Sequence, residues 1–409
     1  MARVLHLLSQ RPSLTGSGIT LDALVRHAGG VGWEQRVVVG VPADDSRLEI
    51  GGLPPEHVRT VRFGTAELPF PVPGMSDVMP YRSTRFSAMS EIELRAYGDA
   101  WRHRIGEAVA DLRPQVIHAH HVWLMSSLVK DLAPTTPVVI HCHATGLRQM
   151  ELCPQLSLRV RRGCRRADRF AVLHRFHLRQ LADCLGVEDG RVRVVGAGFR
   201  DDLFHARGRE EPAGPRLLYV GKLSASKGLP CLLDAVEELA PAHAGLELHV
   251  AGGGAGDEAD ALRQRMERLQ ALVVFHGQLS QRELGEQMRR STAVVLPSFF
   301  EGLPLVLVEA FACGCRIVAT ALPGVVEQLA PALGASVELV EPPGMLAVDT
   351  PDPAELPGFT ERLRGAIERV LSPAPPSAPD ADRASATARF TWQAVFGRVE
   401  SVWRELIEG

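Results

Sequence analysis

Short apolar runs alternate with helical patterns along the first half of the chain. The apolar runs lie at residues 4–8, 37–41, 116–119, 138–142, 170–173 and 192–195. They are almost continuously apolar, which is typical of strands in a parallel sheet covered on both faces. Helical periodicity appears between them, at residues 18–29, 91–111, 122–132, 150–166 and 175–185. The alternation predicts a doubly wound α/β sheet.

The second half of the chain repeats this alternation. Strands are predicted at residues 216–220, 246–251, 272–276, 292–296 and 315–319, and helices at 228–239, 257–270, 280–290 and 304–312. Residues 196–215 are polar and rich in glycine and proline, which predicts a linker. We therefore expect two Rossmann-like domains, at residues 1–198 and 199–385, with ligands bound in a cleft between the carboxyl ends of their sheets.

Three stretches interrupt the alternation. Residues 64–90 are rich in proline and have little periodicity, which predicts a long functional loop or an insertion. Residues 372–379 are also proline-rich and predict an exposed connector. Residues 391–408, by contrast, place apolar side chains near helical spacing. This pattern predicts an amphipathic helix that docks on a large apolar surface.

Composition and charge narrow the class of protein. The chain has 409 residues, 45% of them hydrophobic and 23% charged, with a formal net charge of -3. This balance is typical of a globular protein and argues against a nucleic-acid binder. No apolar run is long enough to span a membrane, and the first residues lack the features of a signal peptide. The seven cysteines are odd in number and scattered, which favours reduced thiols. We therefore expect a cytoplasmic protein.

Two glutamates eight positions apart form the most specific motif. Glu301 follows a predicted buried strand, and Glu309 falls inside the next predicted helix. A carboxylate accepts hydrogen bonds from two sugar hydroxyls at once, and the amides at a helix start favour an anion. The residues around that start are Gly302, Leu303, Leu305 and Val306. The alternative is structural: Glu301 would cap the helix and Glu309 would pair with an arginine.

A loop of small residues with two lysines follows the first predicted strand of the second half. Gly221 and Lys222 open this loop, and Lys227 lies five positions beyond Lys222. Positive charges held there would stabilise a diphosphate leaving group as its negative charge grows. The loop is not a P-loop, because the GxxxxGK[ST] order is absent. Two solvated loop lysines are the alternative.

Two glycine-rich turns follow other predicted strands. They are Gly16-Ser17-Gly18 and Gly252-Gly253-Gly254. Glycine lets the backbone approach a ligand closely where a helix begins. The second turn lacks the third glycine of a dinucleotide-binding fingerprint, because Asp257 stands there. We interpret the second as a tight strand-to-helix turn that faces a nucleotide. We favour a ligand-binding role for the first, because it lies at the end of the first strand, although a tight structural turn explains it nearly as well.

Histidines cluster at two further predicted strand ends. They are His118, His120 and His121 near the end of one strand and His141 and His143 near the end of the next. A zinc site is conceivable, but no carboxylate or cysteine spacing completes it, so we predict no metal site. No Asp-x-Asp motif lies where the metal of a nucleotide sugar would bind. We therefore expect lysines and helix ends, rather than magnesium, to neutralise a diphosphate, and we expect no cofactor.

Arginines cluster on the predicted helix at 150–166. They are Arg159, Arg161, Arg162, Arg165 and Arg166. This face could contact anionic lipid or a phosphorylated acceptor. An ordinary solvated helix face is the interpretation we prefer.

With these motifs the chain resembles glycosyltransferase family 4, a group of retaining enzymes with the GT-B fold, over nearly its whole length. The resemblance rests mainly on the spacing of Glu301 and Glu309. The lysine loop, both glycine turns and the terminal Thr391-Trp392 helix fall in the family's order. The resemblance implies two Rossmann-like domains facing a central cleft. It also implies a C-terminal segment, residues 386–409, that crosses back to the first domain.

The resemblance implies a role for each matching residue. Glu301 and His143 would contact the donor sugar, and Glu309 the ribose of the nucleotide. Lys222 and Lys227 would hold the diphosphate, with help from the Gly16-Ser17-Gly18 turn. Retention would proceed by front-side attack, with the departing phosphate taking the acceptor's proton, so no enzymic nucleophile is expected. The family commonly has arginine where Lys222 stands, and lysine cannot grip a phosphate with a planar fork.

The substrates are less well defined by the sequence. A UDP-sugar is our first expectation for the donor and a GDP-sugar our second. The acceptor would be a small molecule or a lipid-linked glycan, with peripheral membrane contact left open. Candidate acceptor-binding residues, from position alone, are Thr20, Tyr81, Arg82, His120 and His121. A sugar-nucleotide epimerase, a phosphorylase or a non-catalytic nucleotide-sugar-binding protein are the alternative functions.

Overall fold

The computed structural model describes residues 1–12, 15–45, 48–76, 79–372 and 380–409. The chain forms two compact units: Met1–Gly198 with Trp392–Gly409, called unit 1, and Phe199–Thr391, called unit 2. The chain thus returns to unit 1 at Trp392, later than the expected position 386. Apart from Ser372, the predicted exposed connector at 372–379 lies outside the described residues.

Unit 1 is built on a seven-stranded sheet in which neighbouring strands are parallel. In spatial order the strands are Val58–Phe63, Glu34–Pro42, Arg3–Leu8, Val116–His120, Val138–Cys142, Arg169–Val172 and Val192–Val194. The first strand in sequence lies inside the sheet and the next two extend one side of it, as in a doubly wound fold. The edge strand Val58–Phe63 was not predicted.

Helices cover the faces of this sheet. They are Gly16–Gly30, Glu91–Leu112, Leu124–Ser127, Val129–Leu132, Thr145–Leu152, Pro154–Cys164 and Arg175–Leu185. The single helix expected at 150–166 is therefore two helices that meet at Cys153 and Pro154. Proline has no amide hydrogen to continue the first helix, but its fixed φ suits the first turn of the second.

The proline-rich stretch at 64–90 packs onto the core of unit 1. It contains two-residue strands at Pro73–Gly74 and Thr84–Arg85. Phe70, Val72 and Phe86 are buried in the main hydrophobic cluster of the unit. The stretch therefore adds buried apolar side chains to the core, which stabilises unit 1.

Unit 2 is built on a six-stranded parallel sheet. In spatial order the strands are Val273–Gly277, Glu247–Ala251, Arg216–Val220, Ala293–Leu296, Arg316–Thr320 and Val337–Val340. The last of these, again an edge strand, was not predicted. A short antiparallel pair joins Met345–Ala347 to Thr350–Pro351. The expectation of two Rossmann-like α/β domains is confirmed.

The helices of unit 2 flank its sheet. They are Leu229–Leu239, Asp257–Arg268, Gln281–Arg289, Leu305–Ala312, Ala330–Leu333, Leu356–Leu371 and Asp380–Thr387. A π-helical turn spans Val325–Leu329. The helix Leu356–Leu371 was not predicted, although it buries Phe359, Leu363 and Ile367 in the core of the unit.

The terminal helix, Trp392–Glu408, completes unit 1. Its buried face includes Val395, Phe396 and Trp403, which join a hydrophobic cluster with Val4 of the first strand. A Cβ atom on Gly198 would lie 2.4 Å from the Trp392 ring, so the chain can pass this helix closely only with glycine there. Among the described helices, none combines the length and apolarity that a membrane span requires.

Candidate functional site

In unit 2, the loops that follow two neighbouring strands touch each other at the carboxyl edge of the sheet. The Gly221 N–H donates to Ala251 O at 3.0 Å, and the Leu223 N–H donates to Gly253 O at 3.1 Å. Gly252 has a φ of 143°, and a Cβ atom there would lie 1.8 Å from Gly221 O. The predicted glycine turn and the lysine loop therefore form one continuous backbone surface.

The predicted cation Lys227 contacts the predicted carboxylate Glu301. Lys227 Nζ donates to Glu301 Oε1 at 2.7 Å and to Phe300 O at 2.9 Å. The two side chains are 19% and 21% exposed, so the ion pair is partly shielded from water and remains open to a ligand. The helix Leu305–Ala312 has no side-chain cap, so Glu301 does not take the alternative role of a helix cap.

Two contacts hold the lysine loop in place. Gly228 has a φ of 67°, and a Cβ atom there would lie 2.1 Å from Pro297 O. The buried Tyr219 hydroxyl donates to Lys222 O at 2.6 Å. Burial, and then the negative charge of Glu301, raise the pKa of Tyr219 well above its usual value. Sequence reasoning missed Tyr219, whose position at the end of a buried strand directly before the loop was the available signal.

Glu309 lies within the helix Leu305–Ala312 and is 9% exposed. Within the described ranges its carboxyl group makes no hydrogen bond and no ion pair, so the alternative of a paired arginine is not observed there. Burial raises the pKa of Glu309 to about 7. A buried carboxyl group without protein partners is costly unless a ligand supplies the hydrogen bonds.

The start of this helix is open. Pro304 occupies the N-cap position, and the first turn contains Leu305 and Val306. Amides in a first helical turn have no partner within the helix. Without a side-chain cap, these two amides are available to an anion, and their role in donor binding stays a prediction.

In unit 1, the Gly16-Ser17-Gly18 turn opens the helix Gly16–Gly30. The Gly18 N–H is already satisfied, because it donates to the Thr15 hydroxyl at 3.2 Å. The Ser17 hydroxyl donates to Gln10 Oε1 at 3.1 Å. The turn therefore lies where it was expected, but Gly18 serves the helix cap, and a role of the turn in donor binding stays a prediction.

The histidines predicted at the strand ends form one layer inside unit 1. His118 Nε2 lies 3.3 Å from His141 Nδ1, and His120 Nδ1 lies 2.9 Å from His143 Nε2. Burial, helped by the neighbouring rings, lowers the pKa of His118, His120 and His143 well below the usual value. Burial lowers the pKa of His141 to about 3. The layer is therefore neutral at physiological pH.

The three rings of His118, His120 and His141 lie close enough to hold a metal ion, but their hydrogen bonds argue against this. The Trp403 Nε1–H donates to His118 Nδ1 at 2.9 Å. The neutral His118 ring must then carry its proton on Nε2, which donates to His141 Nδ1. A metal-bound Nε2 would instead require a proton on Nδ1, directly facing the indole N–H. Trp403, His118 and His141 therefore form a hydrogen-bonded chain with ordered protons, which makes His118 Nε2 a poor metal ligand.

Other predicted acceptor-binding residues are partly or wholly buried. The Thr20 hydroxyl is buried and donates to Gly16 O at 2.8 Å. His121 is buried, and its Nε2 and Nδ1 atoms contact Gln10 and Thr145, each at 3.1 Å. Both residues therefore make structural contacts, and acceptor binding by Thr20 and His121 stays a prediction.

Three further candidates differ in exposure. His120 is fully buried behind its hydrogen bond to His143. Tyr81 is half-buried, and burial raises the pKa of its hydroxyl. Arg82 is exposed. Acceptor binding by these residues stays a prediction, and Gln10 and Trp403 are structural partners that the sequence did not reveal.

Two family models match the chain. The glycosyl transferase 4-like domain matches residues 15–198, and the glycosyl transferases group 1 model matches residues 214–355. Together they cover most of both units. The chain belongs to glycosyltransferase family 4.

The chain is similar to curated relatives with two different names. The chain is 28% identical over 262 residues to the D-inositol 3-phosphate glycosyltransferase of Acidothermus cellulolyticus, covering 59% of this chain and 54% of the relative. It is 30% identical over 224 residues to the glycogen synthase of Mycobacterium tuberculosis, covering 53% of this chain and 54% of the relative. The matched parts thus span about half the length of these relatives.

Solved structures of glycosyltransferases confirm the expected GT-B fold. Sucrose-phosphate synthase from Thermosynechococcus elongatus matches with a TM-score of 0.73 and 18% identity, over 100% of both chains. Anabaena HepE in complex with UDP and glucose matches with a TM-score of 0.64 and 17% identity, over 97% of this chain and 98% of that chain.

Proposed function

We propose that this family 4 protein is a retaining glycosyltransferase that transfers a hexosyl-type sugar from a nucleotide-diphosphate sugar without a metal ion. The acceptor atom belongs to a hydroxyl group or another nucleophile. The observation that supports this most strongly is the ion pair of Lys227 and Glu301, which lies at strand ends of unit 2. Glu309, whose carboxyl group has no partner among the described residues, lies on the helix that follows Glu301.

Lys227 is prepared for a phosphate oxygen. An ammonium group has three N–H donors, and Phe300 O and Glu301 Oε1 engage two of them. The third can donate to the diphosphate. Because the ammonium is already held in place, it stabilises the leaving group as negative charge grows, at little cost of reorganisation. Lys222, on the same loop, adds a second positive charge.

The two glutamates bind different parts of the donor. Glu301 uses Oε1 for Lys227, which leaves Oε2 to accept a hydrogen bond from a sugar hydroxyl. Glu309 accepts hydrogen bonds from ribose hydroxyls, which satisfies its buried carboxyl group. The amides of Leu305 and Val306, at the open helix start, face the negative charge of the nucleotide.

The reaction exchanges one bond at the anomeric carbon. The acceptor oxygen forms its bond on the face from which the diphosphate oxygen departs, and the leaving phosphate takes the acceptor proton. The configuration is retained without an enzymic nucleophile. His143 is neutral because burial lowers its pKa, so it contributes a hydrogen bond to the donor sugar rather than a charge.

Nucleotide binding tests the donor assignment. UDP is expected to raise the melting temperature most, with GDP second, because a ligand of the native state stabilises it. Turnover of the matching nucleotide sugar should continue in EDTA, and proton NMR should show the donor's anomeric configuration in the product. Activity that disappears with EDTA and returns with magnesium would refute the metal-free mechanism.

Lysine labelling tests the site directly, because the chain has three lysines: Lys130, Lys222 and Lys227. Bound nucleotide sugar should protect Lys222 and Lys227 from an amine-reactive reagent. Lys130, which pairs with Asp168 in unit 1, serves as the internal control. Equal labelling of all three with and without donor would remove the assignment.

Substitution measures the catalytic share of the ion pair. Lys227→Ala and Glu301→Ala should each lower turnover at least about tenfold, equivalent to about 1.4 kcal/mol of activation free energy. Glu286→Ala, at an exposed helix position of unit 2, is the control. Near-normal rates in both site variants would contradict the proposed roles.

A further inference from the structure

Unit 1 contains a polar cavity that is lined by no residue of the glycine turn or the histidine layer. Its volume is about 420 Å³, which falls in the size range of small-molecule sites. Four arginines line it: Arg102, Arg159, Arg162 and Arg166. They come from the helices Glu91–Leu112 and Pro154–Cys164 and from the residues just after the second helix.

The positive charge of this arginine cavity is not balanced by the protein. Its lining includes one carboxylate, Asp131, which pairs with Arg166. Arg102 pairs with Asp99. Arg159 and Arg162 have no ion-pair partner in the described parts of the chain. They lie three positions apart on one helix, where like charges destabilise each other.

The helix macrodipole explains part of this pattern but not all of it. Cations in a last helical turn are favourable, and Arg161 and Arg162 occupy that turn of Pro154–Cys164. The dipole does not explain Arg159, which lies further from the helix end. A Cβ atom on Gly98 would lie 3.2 Å from an Arg102 nitrogen and 3.4 Å from an Arg159 nitrogen. Both guanidinium groups therefore lie beside the same glycine of the helix Glu91–Leu112.

The helix that carries Arg159 and Arg162 packs closely on its neighbour. A Cβ atom on Gly163 would lie 2.3 Å from Ser127 O, so the helix Pro154–Cys164 packs directly on the backbone of its neighbour. The Ser127 hydroxyl donates a hydrogen bond to Leu124 O at 2.7 Å. Arg159, Arg162 and Arg166 are exposed on this backbone, so their guanidinium groups are accessible to a ligand from solvent.

We propose that the arginine cavity binds a phosphate monoester. Arginine presents paired N–H donors in a planar fork that matches phosphate oxygens, and two unpaired guanidinium groups on one helix, with Arg102 from a second helix, can grip one phosphate. Arg159 and Arg162 supply the unbalanced charge, and Arg102 closes the site from the opposite helix. This site is independent of the lysine loop in unit 2.

Calorimetric titration of the full chain with glycerol 3-phosphate tests the proposal. The double variant Arg159→Gln/Arg162→Gln should weaken binding at least tenfold. The control Arg161→Gln/Arg165→Gln removes the same charge from the same helix region but changes no residue that lines the cavity, and it should bind normally. Lys227→Ala should also bind normally, which separates this site from the donor site. Arg162→Lys should bind with intermediate affinity, because the charge remains but the fork is lost.

A second arm asks whether the phosphate belongs to a lipid. Vesicles of phosphatidylcholine with phosphatidic acid are compared with pure phosphatidylcholine in a sedimentation assay. Binding to phosphatidic acid that needs Arg159 and Arg162 supports a lipid headgroup as the source, and binding of glycerol 3-phosphate alone supports a free ligand. The proposal fails if neither probe binds, or if both double variants lose binding equally, since general charge would then explain the effect.

Discussion

The buried carboxyl group of Glu309 makes the stability of unit 2 depend on pH in a direction opposite to that of a paired carboxylate. Burial raises its pKa from 4.5 to about 7, so the folded chain binds this proton more tightly than the unfolded chain does. Below the unfolded pKa both forms are protonated and there is no penalty. As pH rises from 4.5 to about 7 the folded state loses stability, and above that range the loss is constant.

The size of the effect follows from the shift. A change from 4.5 to about 7 corresponds to a total of about 3 kcal/mol, at roughly 1.4 kcal/mol for each pKa unit. Between about pH 6 and about pH 8.5, the wild-type chain should lose about 1 to 2 kcal/mol through this group. Glu309→Gln cannot ionise and should lose this part of the pH dependence.

The measurement must report on unit 2. All five tryptophans lie in unit 1, so their fluorescence does not follow the relevant transition. Amide hydrogen exchange of the strand Ala293–Leu296 gives the free energy of opening at each pH. Glu286→Gln, exposed in the same unit, is the control and should keep the wild-type pH dependence. If Glu309→Gln keeps it too, the carboxyl group is not destabilised by burial and the reasoning is wrong. Bound nucleotide should flatten the wild-type dependence, because ribose hydroxyls favour the ionised form.

Two further predictions concern groups that hold the strand ends in place. Trp403→Phe leaves His118 Nδ1 without its donor and should destabilise unit 1 by about 1 to 3 kcal/mol more than Trp123→Phe. Trp123→Phe is the control because the buried Trp123 Nε1 has no partner among the described residues. Urea denaturation followed by tryptophan fluorescence measures the difference, and equal losses of stability would contradict the proton-ordered chain. Gly252→Ala should destabilise unit 2 by at least about 2 kcal/mol. Gly252 has a positive φ, and the added Cβ atom would clash with Gly221 O. Gly365→Ala, in a helix with ordinary contacts, should stabilise it by about 0.5 to 1 kcal/mol; hydrogen exchange in unit 2 distinguishes the two.

The strands that the sequence predicted are those whose runs are nearly all apolar. Both strands of the two main sheets that it missed, Val58–Phe63 and Val337–Val340, lie at a sheet edge. Arg59 and Arg62 interrupt the first, and Glu338 interrupts the second. An edge strand is covered less completely, so charged side chains are tolerated and the apolar run that identifies a buried parallel strand is lost.

The candidate site was predictable where it depends on loops that follow buried strands. Lys227 and Glu301 each follow such a strand, and adjacent strand ends bring them to 2.7 Å. The histidine layer was not predictable in the same way. The role of His118 depends on Trp403, which lies 285 positions away in sequence. Only the return of the terminal helix to unit 1 brings the indole to the ring, and no local pattern encodes that contact.

The lysine loop has lysine in a chain whose cationic residues are nearly all arginine. The chain has 45 lysines and arginines, and all but three are arginine; two of these three lysines are Lys222 and Lys227. A general preference for arginine therefore does not extend to this loop. Arginine would present a wide planar fork. The ammonium group of Lys227 instead fits between Phe300 O and Glu301 Oε1 and keeps one N–H donor for a third partner. At position 222 the family commonly has arginine. This chain has Lys222 there, a second compact charge on the loop that carries Lys227. Under the proposed function, the diphosphate is bound by two lysine ammonium groups and open helix amides rather than by a bidentate grip.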